Sequence, residues 1–362
     1  MSHNHLIIMA GGVGSRFWPM SRPEQPKQFI DVLGVGRTLI QLTVDRFGND
    51  FAPERTWVVT SKAYKEKVRE QLPAIPDGNI LLEPCMRNTA PCIAYVIWKI
   101  MQREPDATVV VTAADHFVVN TGEFRRVIAQ GIDFVRGTAR ILTLGMKPTR
   151  PDTGYGYIQS GAVAEASVHR VESFREKPQL AVAEQYLADG RYFWNAGIFL
   201  WDARTAQEAL RHFQPRTAEL FDAMAQSFYT DNEQNTVDEY FPQCESISID
   251  YAVMEPLGGK EMKIGGRQCS VYVMPSDFGW SDLGTWGSLY AQKEKDADNN
   301  AVIGDAAALV ECSDCIVRTS GKLRMVLQGL SGYIVADDNG TLLVCKKSEE
   351  QRIKSFSEQI KQ

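Results

Sequence analysis

The segment that most constrains how this chain can fold is Leu6–Phe29, LIIMAGGVGSRFWPMSRPEQPKQF. An apolar run with the length of one buried strand passes directly into Gly11, Gly12 and Gly14, and then into Arg16, three prolines and Lys27. A dinucleotide-binding turn would place a third glycine where Phe17 stands and would continue as a helix, which Pro19 would break. The Gly-x4-Gly-Lys-Ser/Thr phosphate loop is absent as well. What remains is a long, glycine-opened loop whose backbone N–H groups are able to face an anion. Arg16 supplies a planar fork suited to phosphate oxygens, and Lys27 a movable point charge. Taken alone, the same residues also describe a plain surface loop.

The rest of the chain supplies the frame. HLIIMA, TWVVTS, NILLEP and ATVVVTAAD read as strands, with KAYKEKVREQL and PCIAYVIWKIMQR as helices between them. This alternation predicts an α/β fold with a mostly parallel sheet and helices on both faces. Thr89 is placed to cap the second of these helices, with Pro91 in its first turn. RILTLGMKP and WNAGIFLWD read as later strands. From Asp296 the texture changes to a polar linker followed by short β-rich runs, separated by turn pairs such as Ser320-Gly321 and Asn339-Gly340. A terminal helix is expected after Ser348, opened by an S-x-x-Q capping box and carrying Ile353, Phe356 and Ile360 on one face. The expected division is a domain over 1–295 and a smaller β-rich one over 296–362.

Composition narrows the function classes. The chain has 362 residues and a formal net charge of -6, which argues against a nucleic-acid partner. No run approaches the ~20 apolar residues of a membrane span. Seven scattered cysteines make no disulfide framework and are expected to be reduced thiols of a cytoplasmic protein. Cys312 and Cys315 form a lone C-x-x-C, read as structural. His3 and His5 fall in a terminus expected to fray.

The full opening pattern resembles the signature of the sugar-nucleotide pyrophosphorylases: G-G-x-G-x-R, W-P-x-S-R and P-K-Q-F in order. EPCMRNTAP, AADH, GYGYIQ, FREKP, WNAGIF, SIDYAVME and WSDLGTW follow in the family's sequence, covering roughly residues 6–290. The resemblance implies a Rossmann-like nucleotidyltransferase domain followed by a left-handed β-helix-like C-terminal portion. It implies transfer of GMP from GTP to α-D-mannose 1-phosphate with Mg²⁺, and a homodimer as a candidate assembly. Such a reaction brings two polyanions together, so it calls for cationic clamps and a metal rather than a general base.

Each site residue follows from that resemblance and has a plainer reading beside it. Ala10, Gly11, Gly12 and Gly14 would line the nucleotide's phosphates, with Arg16, Lys27 and Lys177 as catalytic cations. Asp115, at the end of an apolar strand, and Asp282 would hold the metal; either is also an ordinary turn cap. Glu83 would accept from the guanine N1–H and exocyclic amine, with Arg87, Asn88 and Thr89 shaping that side of the pocket. Asn88 and Thr89 also read as helix-capping residues. Glu176, Lys177 and Asn195 would meet mannose 1-phosphate, Glu176 and Asn195 accepting from its hydroxyls, while Gly156 would let the backbone approach the sugar. E-K-P also reads as an exposed turn, His116 as space-filling, and Trp18, Trp194, Trp280 and Trp286 as packing. Alternative functions are guanylyl transfer to another sugar 1-phosphate, another nucleotidyl transfer, a non-catalytic sugar-nucleotide-binding subunit, and a nicotinamide oxidoreductase, which Phe17 and Pro19 disfavour. Many bacterial relatives carry an added cupin-like isomerase domain, and the chain's length leads to the expectation of a single activity.

Overall fold

A computed structural model describes residues 3–360. Its contacts separate the chain into two compact units that are interleaved in sequence. The first comprises the chain up to Gly11, Arg46–Ala113 and Val118–Trp280. The second comprises Gly12–Asp45, Ala114–Phe117 and the chain from Ser281.

The first unit is built on a ten-stranded sheet. Its strands are β1 (Asn4–Met9), β2 (Thr56–Ser61), β3 (Ile80–Glu83), β4 (Thr108–Ala113), β5 (Arg140–Met146), β6 (Tyr157–Glu165), β7 (Val168–Arg175), β8 (Tyr192–Asp202), β9 (Glu261–Ile264) and β10 (Arg267–Ser276). The order is β9-β10-β7-β6-β8-β4-β1-β2-β3, and β5 pairs with both β10 and β8. The run β4-β1-β2-β3 is parallel throughout, as the alternation of strand and helix requires. Its strands are apolar on both faces because helices cover them, notably Thr89–Arg103, in which Ala90 to Ile100 are all buried. The far half is largely antiparallel, where β8 turns back along β4 and β5. In register, Met9 lies beside both Val59 and Ala113, and Ser61 beside Glu83. The glycine loop, Glu83 and the segment leading to Asp115 therefore all begin at the carboxyl ends of parallel strands, where α/β sheets build their sites.

Two sequence expectations are corrected here. His5 does not fray: it lies buried in β1, and its Nδ1 accepts from the indole Nε1 of Trp57 at 3.0 Å. Thr89 does not cap its helix. Asn88 is the N-cap and accepts from the Thr89 N–H at 2.9 Å, while the Thr89 hydroxyl accepts from the N–H of Ile249 at 2.8 Å.

The second unit packs the W-P motif and the C-terminal strands around one core. Phe17, Trp18 and Met20 are buried with Trp286, Ile303, Ile316 and Ile334. Phe17 stands where a dinucleotide turn needs glycine because its ring is a core anchor, 5.5 Å from that of Trp286. Beyond the linker, β11 (Ala301–Ile303), β13 (Ile316–Arg318) and β15 (Tyr333–Asp338) pair in parallel, as do β12 (Ala307–Val310) and β14 (Met325–Gln328). These are successive turns of a β-helical coil, closed by the antiparallel strand β16 (Thr341–Lys346). The terminal helix, Ile353–Ile360, follows a 3₁₀ turn that takes up Ser348, so the expected capping box does not form. All seven cysteines are free, and the Cys312 and Cys315 thiols donate to backbone carbonyls. Among the described residues no helix is long and apolar enough to cross a membrane.

Candidate active site

In the second unit the glycine loop, the segment after β4 and the WSDLGTW motif converge on a cavity of about 310 Å³, lined among others by Gly14, Arg16, Lys27, Asp115, His116 and Asp282. Gly14 has φ 69°, and a Cβ there would stand 2.5 Å from the Lys27 Cβ, so only glycine lets the loop close on that lysine. Arg16 is exposed, and no side-chain hydrogen bond or ion pair engages it among the described residues. Its charge is available to an anion.

Lys27 is different. Its side chain is 4% exposed, and its ammonium is 2.8 Å from Asp115 Oδ2. It also donates to the backbone carbonyls of Asp282 and Leu283 at 2.9 and 3.0 Å. All three protons are spent inside the protein, so the expectation of a movable charge reaching for phosphate is corrected. Lys27 ties the two carboxylate-bearing segments together. Burial by itself would raise the Asp115 carboxyl, but Lys27, with His116 beside it, holds it below the usual carboxylate range. His116 Nε2 lies 4.0 Å from Asp115 Oδ1. Asp282 accepts from the N–H of Gly284 at 3.0 Å, which fixes its turn.

No cluster of three or more His, Cys, Asp or Glu suited to a metal occurs among the described residues. Two carboxylates on one cavity still fit Mg²⁺, which commonly takes one or two protein carboxylates and completes its shell with water and phosphate oxygens.

The first unit carries the other predicted residues, in two places. Glu83 ends β3, buried, with Oε1 lacking any partner. Burial pushes its carboxyl up to about 7, against the opposing bond from the Cys92 thiol. Gly11 lies alongside: an added Cβ would be 3.4 Å from Glu83 Oε2. A buried carboxylate with an empty acceptor position is suited to a ligand that brings its own N–H groups. Arg87 instead donates to the carbonyl of Pro242.

The sugar-side residues meet at Gly156. A Cβ there would stand 2.5 Å from Glu176 Oε2 and 3.3 Å from the Asn195 Cβ. An alanine there would make the Glu176 carboxylate shift and the Asn195 side chain give slightly, so the glycine leaves both side chains their present places. Glu176 Oε1 accepts from Lys177 at 2.6 Å, while Oε2 is buried and unpartnered. Lys177 is 57% exposed and has φ 45°, an unusual conformation for a lysine that marks a constrained turn. Asn195 is not the free acceptor expected of it. Its Oδ1 already accepts from Thr143 Oγ1 at 3.0 Å and from the N–H of Gly197 at 3.1 Å, and its Nδ2 donates to Asp250 Oδ1 at 2.8 Å. Thr143 and Asp250 were not singled out from the sequence. The only available signal for Asp250 was its place within SIDYAVME; for Thr143, inside an apolar strand, there was none.

Residues 5–299 match the family described as Nucleotidyl transferase. A protein of Vibrio cholerae described as a putative mannose-1-phosphate guanylyltransferase is 37% identical over 98% of this chain and 74% of its own length. The mannose-1-phosphate guanylyltransferase of Escherichia coli K12 is 33% identical over 98% and 73%. A solved structure from Thermus thermophilus, described as a mannose-1-phosphate geranyltransferase, superposes with a TM-score of 0.86 at 28% identity, covering 99% of this chain and all of that one.

Proposed function

We propose that this chain, which belongs to the nucleotidyl transferase family, transfers GMP from GTP to α-D-mannose 1-phosphate and releases pyrophosphate. The observation that carries this reading is the cavity where an uncommitted Arg16 faces the same space as the paired carboxylates Asp115 and Asp282. That set suits a triphosphate with a hard cation and has no evident use in hydride transfer or in passive binding. The relatives named for this activity support the choice of base and sugar.

In the proposed reaction a phosphate oxygen of the sugar attacks the α-phosphorus of GTP. The new O–P bond forms as the bond to the β-phosphate oxygen breaks, and no proton has to move. Arg16 and the N–H groups of the Gly12–Gly14 loop neutralise and orient the triphosphate. Asp115 and Asp282 would hold Mg²⁺, which supplies charge neutralisation on the reacting and leaving phosphates. Lys27 keeps Asp115 ionised and aimed without itself touching the substrate. Glu83 accepts from the guanine N1–H and amine, an edge that adenine lacks. Glu176 accepts from sugar hydroxyls, and Lys177 neutralises the sugar phosphate. Residues 1–295 would carry these groups, with 296–362 supporting them, in a cytoplasmic enzyme.

The test is incubation of the purified chain with GTP, mannose 1-phosphate and Mg²⁺, assayed for pyrophosphate and GDP-mannose, beside a panel of other nucleotides and sugar 1-phosphates. Pyrophosphate release that does not depend on the sugar phosphate, or a clear preference for another sugar, overturns the reading.

A further inference from the structure

The Asn195 side-chain amide can be oriented without ambiguity. The backbone N–H of Gly197 can only donate, so the atom it meets at 3.1 Å must be the amide oxygen. The Thr143 hydroxyl donates to the same oxygen at 3.0 Å, which occupies both lone pairs. The amide nitrogen is therefore on the Asp250 side and gives one N–H to Asp250 Oδ1 at 2.8 Å. One N–H is left, and Asn195 can meet a ligand only as a donor. Its neighbour across Gly156 is the opposite: Glu176 Oε2 is buried, has no partner and can only accept when ionised. A donor and an acceptor flanking one glycine match a sugar hydroxyl, which gives one hydrogen bond and takes another.

Asp250 is built to hold this arrangement. It begins a five-residue π-helical turn, Asp250–Met254, a local geometry uncommon enough to indicate a specific demand. The turn is anchored on two sides: the N–H of Ile249 donates to Thr89 Oγ1 at 2.8 Å, and the N–H of Ala252 to the carbonyl of Ser248 at 2.8 Å. The charged groups around Asp250 are Glu176 and Lys177, and Lys177 is already bonded to Glu176. Asp250 is left with Asn195 as its side-chain partner.

We propose that Asp250 is a positioning residue for sugar recognition: with Thr143 it locks the Asn195 amide as a hydrogen-bond donor beside the acceptor Glu176, and so sets which sugar hydroxyl arrangement the site accepts. This rests on the functional reading above. Without Asp250 the amide loses its anchor, and its remaining N–H is no longer held in one direction.

Steady-state kinetics on the full chain test it. Asp250→Ala is expected to raise the KM for mannose 1-phosphate about tenfold or more, the effect of one misplaced hydrogen bond, and to leave the KM for GTP within about twofold. Asp250→Asn, whose side-chain carbonyl still accepts from Asn195, should recover most of the loss. Asp250→Ala should also narrow the discrimination between mannose 1-phosphate and its epimers. An unchanged KM for the sugar phosphate overturns the inference. So does an equal rise in both KM values, or an equal defect in the Ala and Asn variants, since each describes a merely structural aspartate. Should Asp250→Ala not fold, Thr143→Val removes the other half of the lock while keeping the side-chain shape. It is expected to raise the sugar KM several-fold with the GTP KM unmoved, and no change in the sugar KM overturns the inference. Absence of wild-type turnover with mannose 1-phosphate overturns the functional reading and this inference with it. Normal wild-type turnover with an unchanged variant KM overturns this inference alone.

Discussion

Replacing Lys27 with methionine separates a phosphate clamp from an internal tie. Methionine nearly matches the lysine stem but removes the ammonium, which lies 5.7 Å from the centre of the Phe17 ring in a cation–π contact. It removes the ion pair to Asp115 and the two bonds to the carbonyls of Asp282 and Leu283. Removing one member of a buried pair costs about 3–5 kcal/mol, because the partner stays behind uncompensated. Asp115 keeps 32% of its side chain exposed, which places the cost near the lower end, about 3 kcal/mol. At roughly 4 °C per kcal/mol, where the ranges for smaller and larger domains meet, the melting temperature should fall by about 12 °C. The pH dependence has a definite sign. The Asp115 carboxyl is depressed in the folded state, so its pairing contributes fully above the ordinary value of 3.8 and is lost as pH falls through the lower folded value. The gap between wild type and Lys27→Met should thus be largest near neutrality and narrow as the pH is lowered below about 4. Differential scanning calorimetry from pH 3 to 8 reads both quantities. A variant with wild-type melting and a raised KM for GTP would refute the tie and restore Lys27 as a direct phosphate ligand.

Glu83→Gln is expected to lower the preference for GTP over ATP by a cost of about 1–3 kcal/mol, since one guanine donor then meets an amide in place of a carboxylate. In the wild type the KM for GTP should rise as pH falls through about 7, where this carboxyl protonates, and the dependence should flatten in the Gln variant, as measured by kinetics from pH 6 to 8.5. Arg16→Ala should weaken GTP binding measured alone, whereas Lys177→Ala should raise the KM for mannose 1-phosphate and leave GTP binding near wild type. Calorimetric titration with GTP checks both, and equal loss in the two variants would contradict the division of roles.

Residues whose role is local were legible in the amino-acid sequence. The strand–glycine transition at Ala10–Gly14, the carboxylates at strand ends and the exposed Arg16 follow from residue type and neighbours alone. The strands of the parallel run are legible because burial on both faces makes them uniformly apolar, and β5, β8 and the short C-terminal runs are legible from their apolar stretches between turn residues. Strands β6 and β7 escaped notice because their outer residues are exposed and their patterns mix polar with apolar positions. The Lys27 assignment shows the limit most clearly. Its type and proximity to Arg16 suggested a second phosphate clamp, yet its partners lie 88 and 255 positions away in sequence.

Sequence by itself determined the fold class, the family and the chemical inventory of the site: cations, carboxylates and glycines in a fixed order. Only tertiary structure decided which of those groups are committed and which are free. Lys27 is spent on Asp115 and the following carbonyls, Asn195 is turned into a donor by Thr143 and Asp250, and Glu83 and Glu176 each keep a buried oxygen without a partner. The physical reason is that a hydrogen-bonding group's availability is set by the neighbours that use its protons and lone pairs. Those neighbours come from strands and turns far apart along the chain, brought together only when the apolar residues between them are buried.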